Sequence, residues 1–238
     1  MELTSVNNDK VKRWQKLKQK KYRDIEKLFL IEDEHLVEIA LNLDIVKEII
    51  TTTDKIFNVE TYYVNDKIMK LLSEQQSSAK IIAVCHTLSE KDIKGNIIIL
   101  DNLQDPGNLG TIIRSAVAFN FDTIVLGNTC VDLYNPKVIR ASEGMIFNIN
   151  VLRRNLLEFI DTLNEDYTLA TTDVNDGADI RNIEYKKIAL IIGNEGNGVS
   201  EEIASKCPNK VNIKMNCNCE SLNAGVCASI LMYEVNHE

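Results

Sequence analysis

"IIILDNLQDPGNLGTIIRSAVAF", residues Ile97 to Phe119, holds a strand, a loop and a helix in one short stretch. Four consecutive apolar residues, Ile97 to Leu100, suit a parallel strand buried on both faces. Pro106-Gly107 marks a turn, after which Asn108 can cap a helix through its side chain. In that helix Ile112, Ile113, Ala116, Val117 and Phe119 form an apolar stripe, while Gly110, Thr111, Arg114 and Ala118 share the other side at three- and four-residue spacing. A solvated face ordinarily carries several charges, and this one has only Arg114, so another chain or a ligand is expected to pack close to it. Taken alone, Arg114 reads equally as an ordinary arginine lying in water.

The same alternation continues downstream through "TIVLG", "NPKVIRASEGMIF", "FNINVL", "NLLEFIDTLN", "YTLATTDV", "IALIIG", "SEEIASKC" and "KVNIKM" to a final helix from about Glu220 to Val235. Strands separated by helices predict a parallel sheet covered on both faces. Upstream, "KLFLIE", "IVKEIITT" and "KIIAVCH" read as strands and "EHLVEIALN" and "DKIMKLLSEQ" as helices, a smaller α/β layer closing near His86. The polar stretch "TLSEKDIKGN" between them reads as a linker. The expected division is 1–90 and 91–238.

The chain has 238 residues, 45% apolar and 26% charged, an ordinary globular composition. No stretch is long and apolar enough for a membrane span or a signal peptide, so a cytoplasmic location is expected. Six cysteines without a secretion signal are expected to be buried or free thiols. "NCNC" offers one Cys-x-Cys with no matching pair, and no metal is expected. Net charge is −8. Between Lys10 and Lys27, however, nine basic residues face only Asp24 and Glu26, a local +7 on a body carrying −15. One basic helix, capped by Asn7 or Asn8, fits a phosphate-facing element or simply a solvated helix.

Three loops follow strands of the second sheet, where open α/β folds bind ligands. The first is "DNLQDPGNLGTIIR". In the second, "IIGNEGNGVSEE", Gly193, Gly196 and Gly198 let the backbone approach something closely, and Ser200 is expected to cap a helix with an acidic first turn. Its spacing is neither that of the dinucleotide fingerprint nor of a phosphate loop, and the acidic turn disfavours a phosphate there. In the third, "VNIKMNCNCESLNAGVCASILMYE", a polar loop enters a helix whose Ala224, Gly225, Ala228 and Ser229 permit close approach of another backbone. By itself that helix also reads as a terminal helix packed on its own sheet.

In this order the three loops resemble the three motifs of the SpoU-type branch of the SPOUT RNA methyltransferases, and the resemblance covers essentially the whole chain. It implies a knotted catalytic domain from about Asn96, which periodicity could not show, and a small ribosomal-protein-like α/β substrate-binding domain before it. "VKRWQKLKQKKYRDIEKLFLIEDEHLVEIAL" matches that domain's opening. It further implies S-adenosylmethionine as cofactor, transfer of its methyl to a ribose 2′-hydroxyl, and homodimerisation through helices including the last. Ribosomal RNA is the favoured substrate. Transfer RNA, or a non-catalytic RNA-binding or ribosome-assembly role, is the alternative.

Carried across position by position, the motifs imply Asn108, Arg114, Glu195, Ser221 and Asn223 in the active site, and Gly193, Ile213, Leu222, Met215 and Thr171 around the cofactor. RNA contacts are expected from Lys12, Arg13, Lys16, Lys20 and Arg23, and from Arg140 in "NPKVIRASEGMIF". Lys214, Cys217 and Asn120 stand where the family commonly has a proline and two glycines, and Glu32-Asp33 where it has Glu-Gly. A sulfonium methyl is already activated, so the protein mainly has to hold the hydroxyl in line with it. A free guanidinium keeps its proton far above neutral pH. Arg114 is therefore either a strongly perturbed base or an anchor for the adjacent phosphate, with Glu195 expected to position it. Ser221 and Asn223 are read as cofactor or substrate ligands in preference to caps of the last helix.

Overall fold

A computed structural model describes residues 1–75, 79–173 and 176–236. It divides into two compact units, residues 1–89 with 134–140, and residues 90–133 with 141–238.

The first unit runs β1 (Glu2–Leu3), α1 (Asp9–Lys16), α2 (Lys20–Glu26), β2 (Leu28–Ile31), α3 (Glu34–Asn42), β3 (Val46–Thr51), β4 (Glu60–Val64), α4 (Asp66–Leu72) and β5 (Ile81–His86). The sheet order is β1-β4-β3-β5-β2, with β5 antiparallel to both neighbours. Leu28, Leu30, Ile50, Tyr62, Ile82 and Val84 point to one face and bury Val11 and Trp14 of α1 and Ile68, Met69 and Leu72 of α4. The strands at "KLFLIE", "IVKEIITT" and "KIIAVCH" and both helices stand where the periodicity puts them. The half-polar "ETYYV" of β4 and the two-residue β1 were missed, since neither shows a clean alternation.

The basic segment is not one helix. Asn8 caps α1, its side chain accepting from Lys10 N at 2.9 Å. The helix stops at Leu17 because Arg23, 5% exposed, turns back and donates from Nη1 to the carbonyls of Leu17 at 2.8 Å and Lys18 at 2.7 Å. Terminal carbonyls lack partners within their own helix, and a buried guanidinium supplies them here.

The second unit runs β6 (Asn96–Leu100), α5 (Pro106–Ala118), β7 (Phe121–Gly127), α6 (Pro136–Ala141, mostly grouped with the first unit), β8 (Asn150–Arg154), α7 (Leu156–Thr162), β9 (Tyr167–Thr172), β10 (Lys187–Ile192), α8 (Glu201–Ala204), β11 (Asn209–Val211) and α9 (Ala224–Asn236). All its strand pairs are parallel, in the order β11-β9-β10-β6-β7-β8. The sequence reading anticipated each of these strands; the last residue of "YTLATTDV", Val174, lies outside the described residues. Ile97, Ile99, Val125, Ala189 and Ile191 form the core under α7, with Ile160 and Phe159. The chain leaves β6 towards β7 and β8, then returns on the other side to β9 and β10. The β6/β10 junction is thus the topological switch point, where ligands of such sheets bind.

Several local expectations are corrected. Asp105, not Asn108, caps α5: its side chain accepts from Asn108 N at 2.8 Å, leaving Asn108 inside the helix and 6% exposed. Ser200 occupies the cap position of the four-residue α8 but makes no side-chain cap bond; its N–H donates to Asp101 Oδ2 at 2.8 Å. The last helix begins at Ala224, because Asn223 Oδ1 accepts from Gly225 N and Val226 N and so ends the loop there. The small face of α5 meets this same chain. A Cβ on Gly110 would come within 2.3 Å of Ala141 Cβ, and one on Gly225 of α9 within 3.2 Å of Thr111 Cβ. Ser115 and Ser229 hydrogen-bond across the α5–α9 contact at 2.6 Å. Asn120, where a glycine is usual, has φ 58°, a left-handed conformation that asparagine tolerates. All six cysteines are free, with Cys85, Cys130 and Cys207 buried, Cys227 half-buried, and Cys217 and Cys219 exposed. No described helix is long and apolar enough to cross a membrane.

Candidate active site

At the carboxyl ends of β9, β10 and β11 lies a cavity of about 420 Å³. Thr171 and Thr172 end β9, the loop Gly193–Val199 follows β10, and Asn212, Ile213 and Met215 follow β11; Ser221 and Leu222, just before α9, and Cys227 in its first turn close it. Of the residues named from sequence, Thr171, Gly193, Glu195, Ile213, Met215, Ser221 and Leu222 all line it.

Each loop has an identifiable reason for its shape. Gly193 is needed by the loop itself: a Cβ there would sit 2.0 Å from Gly198 C and 2.1 Å from Val199 N. That close approach allows the paired bonds Asn194 N to Gly198 O and Gly198 N to Asn194 O, both 2.9 Å. Gly198 has φ +69° and Gly196 nothing nearer than Asn194 Oδ1 at 3.5 Å. The close approach expected of these glycines is realised at Gly193, and its partner is the backbone of the same loop.

Glu195 sits between this loop and α5. Its Oε1 accepts from Asn108 Nδ2 at 2.9 Å and more loosely from Asp105 N at 3.4 Å. The Gly225 position adjoins both Asn108 Oδ1 and Asn223 Oδ1, which lie 3.3 and 3.2 Å from where its Cβ would stand. The structure therefore brings Asn108, Glu195 and Asn223 together beside the cavity. Arg114 is not among them. It lies six residues beyond Asn108, about 9 Å along the helix, is exposed, and makes no hydrogen bond or ion pair with a described residue. The expectation that Glu195 positions Arg114 is corrected: its carboxylate is engaged by Asn108. Asn223 does cap α9, the role the sequence reading ranked second.

The cavity also has residues the sequence reading passed over. Asp173, just after β9, pairs with Lys210 Nζ at 3.0 Å and raises that ammonium above its ordinary value. Burial pushes the Cys227 thiol up to about 11. Both could have been suspected from position: Asp173 follows a strand whose carboxyl end faces the other loops, and Cys227 is one turn beyond Asn223.

In the first unit Arg13 and Arg23 are removed from the expected RNA contacts. Arg13 is half-buried, bonded to Glu26 at 2.6 Å and to buried Glu48 at 3.0 Å, and Arg23 serves α1 as described. Lys20 is exposed but paired with Asp24 at 2.7 Å. Lys12, Lys16 and Arg140 are exposed and make no ion pair with a described residue.

The chain that carries this six-stranded parallel sheet, with a cavity walled by the loops after β9, β10 and β11, matches two family models. The SpoU rRNA methylase family matches residues 95–233, and an MRM3-like substrate binding domain matches residues 8–83. The chain belongs to the SpoU rRNA methylase family. It is 38% identical over 244 residues, covering 98% of each chain, to the 23S rRNA (guanosine(2553)-2′-O)-methyltransferase RlmP of Bacillus subtilis. A putative TrmH family tRNA/rRNA methyltransferase of Staphylococcus aureus is 38% identical over 149 residues, 61% of this chain and 60% of that one. An AdoMet-bound rRNA methyltransferase from Sinorhizobium meliloti superimposes with TM-score 0.89 at 27% identity, covering 100% of this chain and 97% of the other. AviRb from Streptomyces viridochromogenes, at 22% identity and TM-score 0.87, covering 97% and 98%, shares the fold.

Proposed function

We propose that this chain transfers the methyl group of S-adenosylmethionine to a ribose 2′-hydroxyl of ribosomal RNA. The observation that carries the reading is the 420 Å³ cavity at the carboxyl ends of β9, β10 and β11, lined by residues of the second and third motif-bearing loops, with Glu195 of its wall bonded to Asn108 of the first. Its lining fits the cofactor. The Thr171 hydroxyl is buried and has no hydrogen-bond partner, and the peptide N–H groups of Ile213, Met215 and Leu222 find none among the described residues. Unpaired polar groups at a cavity wall call for a ligand with complementary donors and acceptors, and an adenosine supplies them. Bound there, S-adenosylmethionine provides a methyl already activated on its sulfonium.

The chain's own residues then have to hold the acceptor. Glu195 and Asn108 present a polar pair at the edge of the cavity, and Asn223 stands beside them. Arg114 is exposed and unengaged, and no described acid bonds to it, so we read it as the anchor for the phosphate next to the modified ribose. The hydroxyl proton then leaves to water. Positioning of this kind accounts for a large share of the rate in two-substrate reactions.

RNA docking on the first unit, residues 1–90, is supported by the exposed ammoniums of Lys12 and Lys16, neither in an ion pair with a described residue, with Arg140 contributing. Pairing of two chains is supported by Val226 and Tyr233, seven residues apart on one face of α9 and each nearly half exposed. The small residues of α9 are already used against α5, so the apolar stripe replaces them as the dimer face. The knot is supported by the return of the chain from edge strand β11, past β9 and β10, to α9 beside α5. A cytoplasmic location goes with the substrate.

The test is methyl transfer from labelled S-adenosylmethionine to ribosomal and transfer RNA, followed by alkaline digestion. Label in an alkali-resistant dinucleotide from ribosomal RNA, lost in Arg114→Ala, is expected. Label in mononucleotides, or cofactor binding without transfer to either RNA or to ribosomal precursors, would overturn it.

A further inference from the structure

The loop after β10 is tied down by a side chain that no motif reading assigned. Asn194 Nδ2 donates to Asn102 O at 3.0 Å and, more loosely, to Glu195 Oε2 at 3.4 Å, while its Oδ1 accepts from Gly196 N at 2.9 Å and Asn197 N at 3.2 Å. Asn102 has φ 57°, a left-handed backbone that favours asparagine. One amide thus shapes the β10 loop through its oxygen and fastens that loop to the β6 loop through its nitrogen. A second tie, Ser200 N to Asp101 Oδ2 at 2.8 Å, secures the far end. Between them stands Glu195, its Oε1 accepting from Asn108 Nδ2 at 2.9 Å. A loop carboxylate without such ties is free to swing to solvent, and small misplacements at a reacting centre are costly.

We propose that Asn194 is a positioning residue that, through its bond to Asn102 O and its looser contact with Glu195 Oε2, holds Glu195 against Asn108 and so sets the geometry in which the acceptor ribose is received. The proposal rests on the methyl-transfer reading for its kinetic consequence, whereas its structural consequence can be read without it. The two halves of the amide are separable. Asn194→Asp keeps an acceptor for Gly196 and Asn197 N–H but puts a carboxylate oxygen where the donor faced Asn102 O and Glu195 Oε2. Asn194→Ala removes both.

The experiment combines the side-chain amide NMR signals of Asn108 with kinetics, on full-length protein whose thermal unfolding matches wild type. Both Asn194→Asp and Asn194→Ala are expected to shift the Asn108 signals to the position they take in Glu195→Gln. Both are expected to lower kcat about tenfold, with the KM for RNA and the Kd for S-adenosylhomocysteine within about twofold. On the Glu195→Gln background neither is expected to cost anything more, since residues acting through one another are not additive. Unmoved Asn108 signals, an Asn194→Asp that behaves as wild type, or losses that multiply would each overturn the proposal. If Asn194→Ala unfolds, the neutral Asn194→Ser, which adds no charge beside Glu195, decides in its place by the same readouts. Wild-type protein inactive on every RNA would refute the methyl-transfer reading, and the Asn108 signals would still decide this one.

Discussion

Gly193, Gly196 and Gly198 lie within six residues of one loop and make different demands, so their replacement by alanine tests the cavity's architecture. At Gly193 the new Cβ would stand 2.0 to 2.2 Å from Gly198 C, Val199 N and Gly198 O, all backbone. Ordinary contact is at least 3.4 Å, so the strand end and the returning loop have to separate by more than an ångström. The paired 2.9 Å bonds between Asn194 and Gly198 cannot survive that shift. Two hydrogen bonds at about 1 kcal/mol each and overpacking of about 1–3 kcal/mol make a cost of roughly 3–5 kcal/mol. At Gly198 there is open space, but φ is +69°, and a Cβ in left-handed backbone costs about 1–2 kcal/mol. At Gly196 the nearest atom is 3.5 Å away and φ is not positive, so the change is expected to stay within about 0.5 kcal/mol. Calorimetric titration with S-adenosylhomocysteine reads the order directly. Gly193→Ala is expected to weaken binding by about two orders of magnitude or more, Gly198→Ala by up to about thirtyfold, and Gly196→Ala hardly at all. A Gly193→Ala protein that binds within threefold of wild type, or a Gly196→Ala that is the worst of the three, would refute the reasoning.

Three further outcomes follow from the packing. Arg23→Ala is expected to destabilise the first unit by about 2 kcal/mol, because two carbonyls lose a charged donor, whereas Lys12→Ala with Lys16→Ala leaves urea unfolding unchanged and flattens the salt dependence of RNA binding. Equal stability loss in both would contradict the division of roles. Glu48, buried and bonded to Trp14 Nε1 at 2.6 Å and Arg13 Nη1 at 3.0 Å, is expected to cost about 3 kcal/mol when changed to alanine; a midpoint within error of wild type in urea would count against that network. With the Cys227 thiol up at about 11 through burial, only about a thousandth of it is thiolate at pH 8. Alkylation at that pH should therefore mark exposed Cys217 and Cys219 first, with Cys227 gaining close to tenfold per unit as pH rises towards 11. The folded pKa lies above that of an unfolded thiol, so this group's contribution to stability is complete at neutral pH and is lost on the alkaline side, starting near pH 8.5. Rapid Cys227 labelling at pH 8 by mass spectrometry would go against it.

Period and punctuation made much of the fold legible. "IIIL", "IALIIG" and "EHLVEIALN" are determined by local rules, since an apolar run or an apolar stripe has one good home in a layered α/β chain. The three polar loops were legible as a site because each follows a strand of the same parallel sheet, and parallel strands put their carboxyl ends on one side. The basic stretch from Lys10 to Lys27 was legible only as charge. Counting charges treats Arg13, Arg23 and Lys12 alike, yet the first two are spent inside the fold and the third is free.

The sequence alone determined the two α/β layers, the order of most strands and helices, and the loops at which a ligand must sit, because these depend on neighbours along the chain. Which partner each polar side chain takes was decided only by tertiary structure. Glu195 bonds to Asn108, 87 residues away, leaving Arg114 unengaged; Gly110 and Gly225 yield space to Ala141 and Thr111 of the same chain. The loop glycines answer to one another's backbone. A hydrogen bond or a steric contact is a matter of a few ångströms between residues remote in sequence, and those separations exist only once the sheet has brought the loops to one edge.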